Sequence, residues 1–191
     1  MQFFPDYTDE HIAELARQRN PEYFGDLVVR YQDRLYRFVG SIVSDPETAR
    51  DITQESFERA FVALNAFDTR KSFKTWIFTI AKHRAFSYLR WHRNRRTISL
   101  DTLDAEGEPI IDPKDNQPLA SERLSRTQDR RAVRAALQKI KPAYRAALSL
   151  YYLEDMSYQE VAKTLGIRLN TVRTHLRRAK KALMQVLVVP E

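Results

Sequence analysis

The 191-residue sequence contains no cysteine, which excludes a disulfide framework and a thiolate metal site. Glycine occurs only four times and alternating strand-like runs are absent, so helical periodicity is the dominant pattern and the expected class is all-α. No run of about 18 apolar residues occurs, so no segment is expected to insert into a membrane. The first residues, MQFFPDYTDEH, lack the basic start and apolar run of a secretory signal, and a soluble, cytoplasmic protein is expected. No G-x-x-x-x-G-K-[ST] loop is present for a nucleoside triphosphate. No catalytic residue, metal ligand or cofactor is expected, and the chain does not read as an enzyme. One further absence is local: no acidic residue occurs from Arg70 to Arg96.

What is present is basic. The net charge is +7 and the pI near 9.7, which points towards a polyanionic partner. The most informative stretch is SYQEVAKTLGIRLNTVRTHLRRAKKAL, Ser157 to Leu183. Ser157 followed by Glu160 is a capping box, and Val161, Ala162 and Leu165 share one helix face. Gly166 can take a positive φ and end that helix. Asn170 or Thr171 is expected to cap a second helix, in which Val172, Leu176, Ala179 and Leu183 form one buried stripe. The opposite face carries Arg173, Thr174, Arg177, Arg178, Lys180 and Lys181. This is the pattern of a helix-turn-helix whose second helix enters the major groove; the alternative is two amphipathic helices with a solvated basic face.

The acid-free stretch holds Lys74, Lys82, Arg84 and Arg90 among Phe73, Trp76, Phe78, Phe86, Tyr88 and Trp91. Basic side chains can follow a phosphate backbone and aromatic faces can stack on unpaired bases. Phe73, Ile77, Ile80, Ala81 and Leu89 are expected in the core, and Trp76 can belong there as well. The preceding segment is of opposite character. DPETARDITQESFERAF carries Asp45, Glu47, Asp51, Glu55 and Glu58, and its acid-leaning face is either plain surface or a docking face for a protein.

Helices are expected from Thr8 to Arg19, from Pro21 to about Val43, from Asp45-Pro46 to about Ala66 and from Phe73 to about Arg95. The third is expected to bury Ala49, Ile52, Phe57, Ala60, Phe61 and Leu64. Thr97 to Ser121 then brings Gly107, Pro109, Pro113 and Pro118 together with Asp101, Asp104, Glu106, Glu108, Asp112 and Asp115. Such a segment has too few clustered apolar residues to pack and reads as a linker. Helical pattern resumes from about Glu122 to Lys139, and again from Pro142 to about Leu153. The expected architecture is two small helical domains joined by a flexible acidic linker, the second ending in the helix-turn-helix. Their expected bounds are 1–96, 97–125 and 126–191.

Several of these motifs resemble those of bacterial RNA polymerase sigma factors, in the extracytoplasmic-function group of the sigma-70 family. Asp51, Gln54, Glu55 and Phe57 match its D-x-x-Q-E-x-F pattern. Phe73-Lys74-Thr75-Trp76-Ile77 with Ile80-Ala81 resembles F-x-x-W-L…I-A. Ile140 to Arg145 resembles the L-P-x-x-x-R start of the −35 domain, and Tyr158 to Leu183 resembles its helix-turn-helix. The sequence departs from the family pattern at Arg50, where Glu is frequent, and at His83 and Ser87, where amides or carboxylates are frequent. It departs again at Asn170, usually Gly, and at Thr174-His175, usually Ser-Arg.

The resemblance implies a protein that binds core RNA polymerase and directs promoter-specific initiation. Duplex −35 DNA would be read by Asn170, Thr171, Arg173, Thr174, Arg177 and Arg178. The −10 element would be melted and held by the Asn65–Ser72 turn and by Asp68, Lys74, Trp76, His83, Arg84 and Ser87. Asp51, Gln54, Glu55 and Glu58 would meet the β′ clamp helices. The second domain would sit on the β flap through residues such as Leu148 and Leu153, which can equally be core. The implied partners are core polymerase, promoter DNA and an anti-sigma factor, which the family often has. A nuclease, a stand-alone helix-turn-helix regulator working as a dimer and a general RNA binder remain as alternatives at this point.

Overall fold

A computed structural model of the chain describes residues 7–97, 137 and 139–187. Among the described residues there are seven α-helices and no strand. Apart from Thr97 and residues 137 and 139, the expected linker and the helix expected from Glu122 to Lys139 lie outside the described residues.

The helix starts follow local chemistry. Helix α1 (Asp9–Gln18) is capped by Thr8, whose side chain accepts from His11 N. Asn20 caps a 3-10 turn, Pro21–Tyr23, that leads into α2 (Phe24–Val43). Helix α2 ends on Ser44 in the left-handed conformation, φ 68°. Asp45 accepts from Thr48 N at 2.7 Å and Pro46 occupies the first position of α3 (Pro46–Val62). Helix α3 ends four residues earlier than its periodicity suggests, because Leu64–Ala66 tighten into a 3-10 turn. Phe61, expected inside, is 45% exposed and rests edge-on against Phe24. Helix α4 (Phe73–Thr97) begins where Glu10 Oε1 of α1 accepts from Phe73 N at 2.9 Å, so an acid from one helix caps another.

The core of this first unit is aromatic. Tyr31, Phe38, Phe73 and Phe78 are fully buried and meet edge to face, with centroids 5.2–6.3 Å apart. Each such ring stabilises by roughly 1.5–3 kcal/mol through burial alone. Tyr31 also donates to Asp9, which is held by Arg30 at 2.9 Å.

The second unit comprises α5 (Pro142–Leu148), a π turn over Ser149–Leu153, α6 (Tyr158–Leu165) and α7 (Leu169–Leu187). Its own core is small: Ile140, Tyr144 and Ala179, with Leu137, Ala182 and Leu183 against them. Its other buried apolar side chains, Ala146, Ala147, Leu150, Met156, Val161, Val172 and Leu176, join the core of the first unit. Helix α5 packs on α2, and α6 packs on α4.

Candidate nucleic-acid interface

The helix-turn-helix is built as its residues dictate. Ser157 accepts from Glu160 N, and the Glu160 carboxylate accepts from Ser157 N at 2.8 Å, completing the capping box. Those bonds hold the Glu160 carboxyl below its ordinary pKa. Gly166 ends α6 at φ 69°, ψ 34°. Helix α7 begins at Leu169 rather than after a cap at Asn170 or Thr171. Both residues therefore lie in its first turn, where Thr171 N bonds Arg168 O. The Asn170 side chain accepts from Arg173 Nη1 at 3.4 Å instead of capping.

The α7 stripe is buried as its spacing requires: Val172 and Ala179 fully, Leu176 nearly so and Leu183 in part. Asn170, Arg173, Arg177, Arg178, Lys180 and Lys181 are exposed on the remaining surface, with Thr171 and Thr174 half-buried. The Thr174 hydroxyl donates back to Asn170 O at 3.0 Å, and Arg178 Nη1 donates to Tyr144 Oη at 2.9 Å. Arg178 is thus partly committed to holding α5 and α7 together, whereas Arg173 and Arg177 project from the helix.

In the first unit the turn before α4 is shaped by Asp68. Its carboxylate accepts from Arg70 N, Nε and Nη2 at 3.2, 2.9 and 3.1 Å, and these bonds bring its pKa down to about 2. Phe67 is buried, and Trp76 lies over it with centroids 4.7 Å apart. Trp76 is therefore a half-buried wall of the turn. His83 and Ser87 are exposed on one face of α4. Burial and the neighbouring Lys82 ammonium, 3.2 Å from Nε2, hold the His83 imidazole below its ordinary pKa.

The cations on α4 are less free than their sequence pattern suggests. Arg84 Nη2 donates to Glu55 Oε2 at 2.6 Å, and its Nε is buried without a partner. Lys74 Nζ donates to the Glu154 carbonyl of the second unit. Lys82 is 9% exposed, lies beside Gly166, and is pushed below its ordinary pKa by burial.

On α3, Asp51, Gln54 and Glu58 form an exposed row with Glu55 half-buried beside it. Gln54 donates to Glu58 at 3.0 Å, and Asp51 makes no ion pair among the described residues. Burial lifts the Glu55 carboxyl, but hydrogen bonds from Arg84 and Arg59 outweigh it and leave the group below its ordinary pKa. Asp51 and Glu55 share a cleft of about 430 Å³ with Thr48, Ile52, Arg84, Ser87, Tyr88 and Trp91. The expected docking row and the expected −10 face are therefore neighbours across one groove. Of the expected flap contacts, Leu148 is half-buried against both cores, while Leu153 is exposed beside Tyr152.

Sequence reasoning missed two residues at the junction of the units. Glu154 is 2% exposed and accepts from Arg34 Nε and Nη2 at 2.8 and 2.6 Å. Arg145 is 7% exposed and donates to Ser44 Oγ and Ile42 O, both at 2.9 Å. Arg145 stands in the L-P-x-x-x-R motif, but no local pattern gives its contacts or those of Glu154, because their partners lie 80 to 120 residues away in the chain. Among the described residues, no group of acids and histidines is arranged to hold a metal ion, and no helix is long and apolar enough to cross a membrane.

Comparison with known proteins covers the same two units. Residues 27–95 match the family description Sigma-70 region 2, and residues 130–183 match Sigma-70, region 4. The chain is 30% identical to the ECF RNA polymerase sigma-E factor of Salmonella typhimurium, over 92% of each chain. It is 27% identical to the ECF RNA polymerase sigma factor SigW of Bacillus subtilis, covering 90% of this chain and 92% of that one. The fold is similar to that of the sigma factor RpoE from Bartonella quintana, solved with the anti-sigma factor NepR. That match has a TM-score of 0.69 at 22% identity and covers 89% of this chain and 99% of that one.

Proposed function

Since the chain belongs to the sigma-70 family, in its extracytoplasmic-function group, and so to the initiation factors that bind RNA polymerase and promoter DNA, we propose that its two units divide promoter reading between them. The second unit, 126–191, reads duplex −35 DNA through α7. Arg173 and Arg177 reach base edges or adjacent phosphates, with Asn170, Thr171, Thr174 and Arg178 at the margins. The first unit, 1–96, holds the melted −10 strand with the Asn65–Ser72 turn shaped by Asp68, with Trp76, and with Lys74, His83, Arg84 and Ser87 on α4. Segment 97–125 links the two.

The observation that carries this reading is the orientation of α7. Its apolar stripe is buried, while Arg173 and Arg177 stand exposed on a helix placed by a capping box and a glycine turn. Melting draws on binding energy: unstacking a base takes a few kcal/mol, which contacts in a pocket regain. The row Asp51, Gln54, Glu55 and Glu58 docks the β′ clamp helices, and exposed Leu153 meets the β flap. The function belongs in the cytoplasm, where the polymerase works. The RpoE protein of similar fold is solved with the anti-sigma factor NepR, and this chain is proposed to take such a partner as well.

The test is DNA binding and transcription with and without core polymerase. Specific starts from a promoter subset are expected only when both are present, with weak binding by the protein alone. Tight binding of a palindrome by the free protein would instead identify a dimeric regulator. In the same assay, Asp51→Ala with Gln54→Ala is expected to weaken binding to core while leaving the helical fold unchanged.

A further inference from the structure

The turn that leads into α4 is held at both of its ends by α1, a helix that carries none of the residues assigned so far to DNA or polymerase. Arg17 Nη1 donates to the Phe67 carbonyl at 3.4 Å, and Glu10 Oε1 accepts from Phe73 N at 2.9 Å. Glu10 and Arg17 stand two helical turns apart, so they share one face of α1 and lie about 10 Å apart along its axis. The helix that bears them is itself fixed. Ile12, Ala13 and Ala16 are buried in the core, and Asp9 ties α1 to α2 by accepting from Arg30 at 2.9 Å and from Tyr31.

Both contacts meet a need of the turn. The first N–H groups of a helix have no partner within it. At the start of α4, Ser72 Oγ accepts from Thr75 N at 3.2 Å and Glu10 accepts from Phe73 N. The negative charge of Glu10 also suits the positive end of the α4 dipole. Phe67 and Phe73 are both buried, with ring centroids 5.6 Å apart, so the ends of the turn meet and Asp68 to Ser72 bow outward between them. Inside the bow Asp68 accepts from Arg70, and Lys71 N donates to Asp68 O at 2.9 Å. Arg70, Lys71 and Ser72 are its exposed residues. A flexible loop has to be ordered when a ligand binds, and that ordering is subtracted from the binding free energy. A turn already pinned at Phe67 and Phe73 spares most of it.

We propose that Glu10 and Arg17 are positioning residues for promoter melting: from α1 they hold the Asn65–Ser72 turn in the shape that receives an unpaired −10 base. The inference rests on the assignment of that turn to the −10 strand, and it extends the melting machinery to a helix outside the matched segment 27–95. Because melting draws on binding energy alone, the order of the turn acts on the opening step. It does not act on the initial capture of duplex, which belongs to α7.

The test uses the full chain assembled with core polymerase on one promoter. Closed-complex binding and the rate of opening are measured separately, the second by permanganate reactivity of unpaired −10 thymines. Glu10→Ala is expected to slow opening about tenfold and to flatten −10 base preference, with closed-complex binding and −35 preference unchanged. A loss of stability alone would lower the fraction of active complex and leave −10 preference as it was. Glu10→Gln keeps an oxygen that can accept from Phe73 N and is expected to restore most of the opening rate. Arg17→Met keeps the apolar stem and removes the bond to Phe67 O. It is expected to act more weakly in the same direction, and it stands in should Glu10→Ala lose its helical signal. Hydrogen exchange supplies the structural arm: the Phe73 amide is expected to exchange faster in Glu10→Ala, with amides of α2 unchanged. Unchanged exchange at Phe73 would overturn the brace. Faster exchange with unchanged opening and −10 preference would overturn the positioning role. Asp68→Ala, in the turn itself, separates the brace from the reading beneath it. If that variant alters neither opening nor −10 preference, the assignment of the turn fails and the positioning role with it, while exchange at Phe73 still decides whether α1 holds the turn.

Discussion

The two units bury their cores differently. The first closes around large rings, Tyr31, Phe38, Phe73 and Phe78, drawn from α2 and α4, with α1 and α3 covering them. The second has a private core of little more than Ile140, Tyr144 and Ala179, and leans its remaining apolar side chains on the first. Short helices of eight or so residues are marginal on their own, and their stability comes from packing. The first unit is therefore expected to hold its fold alone. The second depends on caps, on its turn glycine and on the surface it rests against.

Breaking the larger core should have the largest effect. Phe78→Ala is expected to destabilise the chain by about 3–5 kcal/mol, read from the urea midpoint, and to release the second unit at the same time. In the second unit the largest local effect should come from Gly166→Ala. A Cβ there would have room, with Lys82 Nζ at 3.8 Å, so the cost is conformational, about 1–2 kcal/mol for a left-handed non-glycine residue. Ser157→Ala removes the capping box and should cost about 0.5–2 kcal/mol. It is expected to loosen amides of α6 in hydrogen exchange while leaving those of α2 unchanged. Equal loosening of both would contradict the picture of a small unit resting on a self-sufficient one.

The smallest effect is electrostatic. The Glu55 carboxyl is held below its ordinary value, so its pairing with Arg84 and Arg59 contributes stability above a pH of about 4.5, and that contribution is lost as pH falls through the lowered value. As a half-exposed pair it should contribute only about 0.2–1 kcal/mol. Glu55→Gln should then be less stable than wild type at neutral pH and converge with it in acid. A gap that widens in acid would reverse the sign.

Legibility in the sequence tracked how local the cause is. Thr8, Asp45-Pro46, Ser157 with Glu160, and Gly166 all act within a turn of themselves, and each stands where its residue type requires. The stripe of α7 was equally plain, because a 3.6-residue period needs no knowledge of what covers it. Phe61 was misjudged because period alone does not tell which flank of a stripe meets a neighbour; it lies at the margin, against Phe24. The cap of α7 was placed too late because Asn170 is a strong capping residue whose side chain instead meets Arg173. Lys74 and Lys82 read as cations able to follow a phosphate backbone, and Arg145 as one motif residue among others. What restrains them is Glu154, Ser44, Ile42 and the end of α6, contacts that no spacing rule encodes.

The division of labour between the units is tested most directly by transcription from a promoter library in which the −10 and −35 elements vary independently. Core polymerase would be paired with wild type, with Arg173→Ala or Arg177→Ala, and with His83→Asn, Ser87→Asn. Each arginine variant should lose about 1–3 kcal/mol of discrimination at one −35 position if that arginine reads a base, with −10 preference unchanged. The α4 variant should shift −10 preference and leave −35 preference as it was. Shifts at the opposite element, or no shift from either variant, would contradict the assignment of one promoter element to each unit.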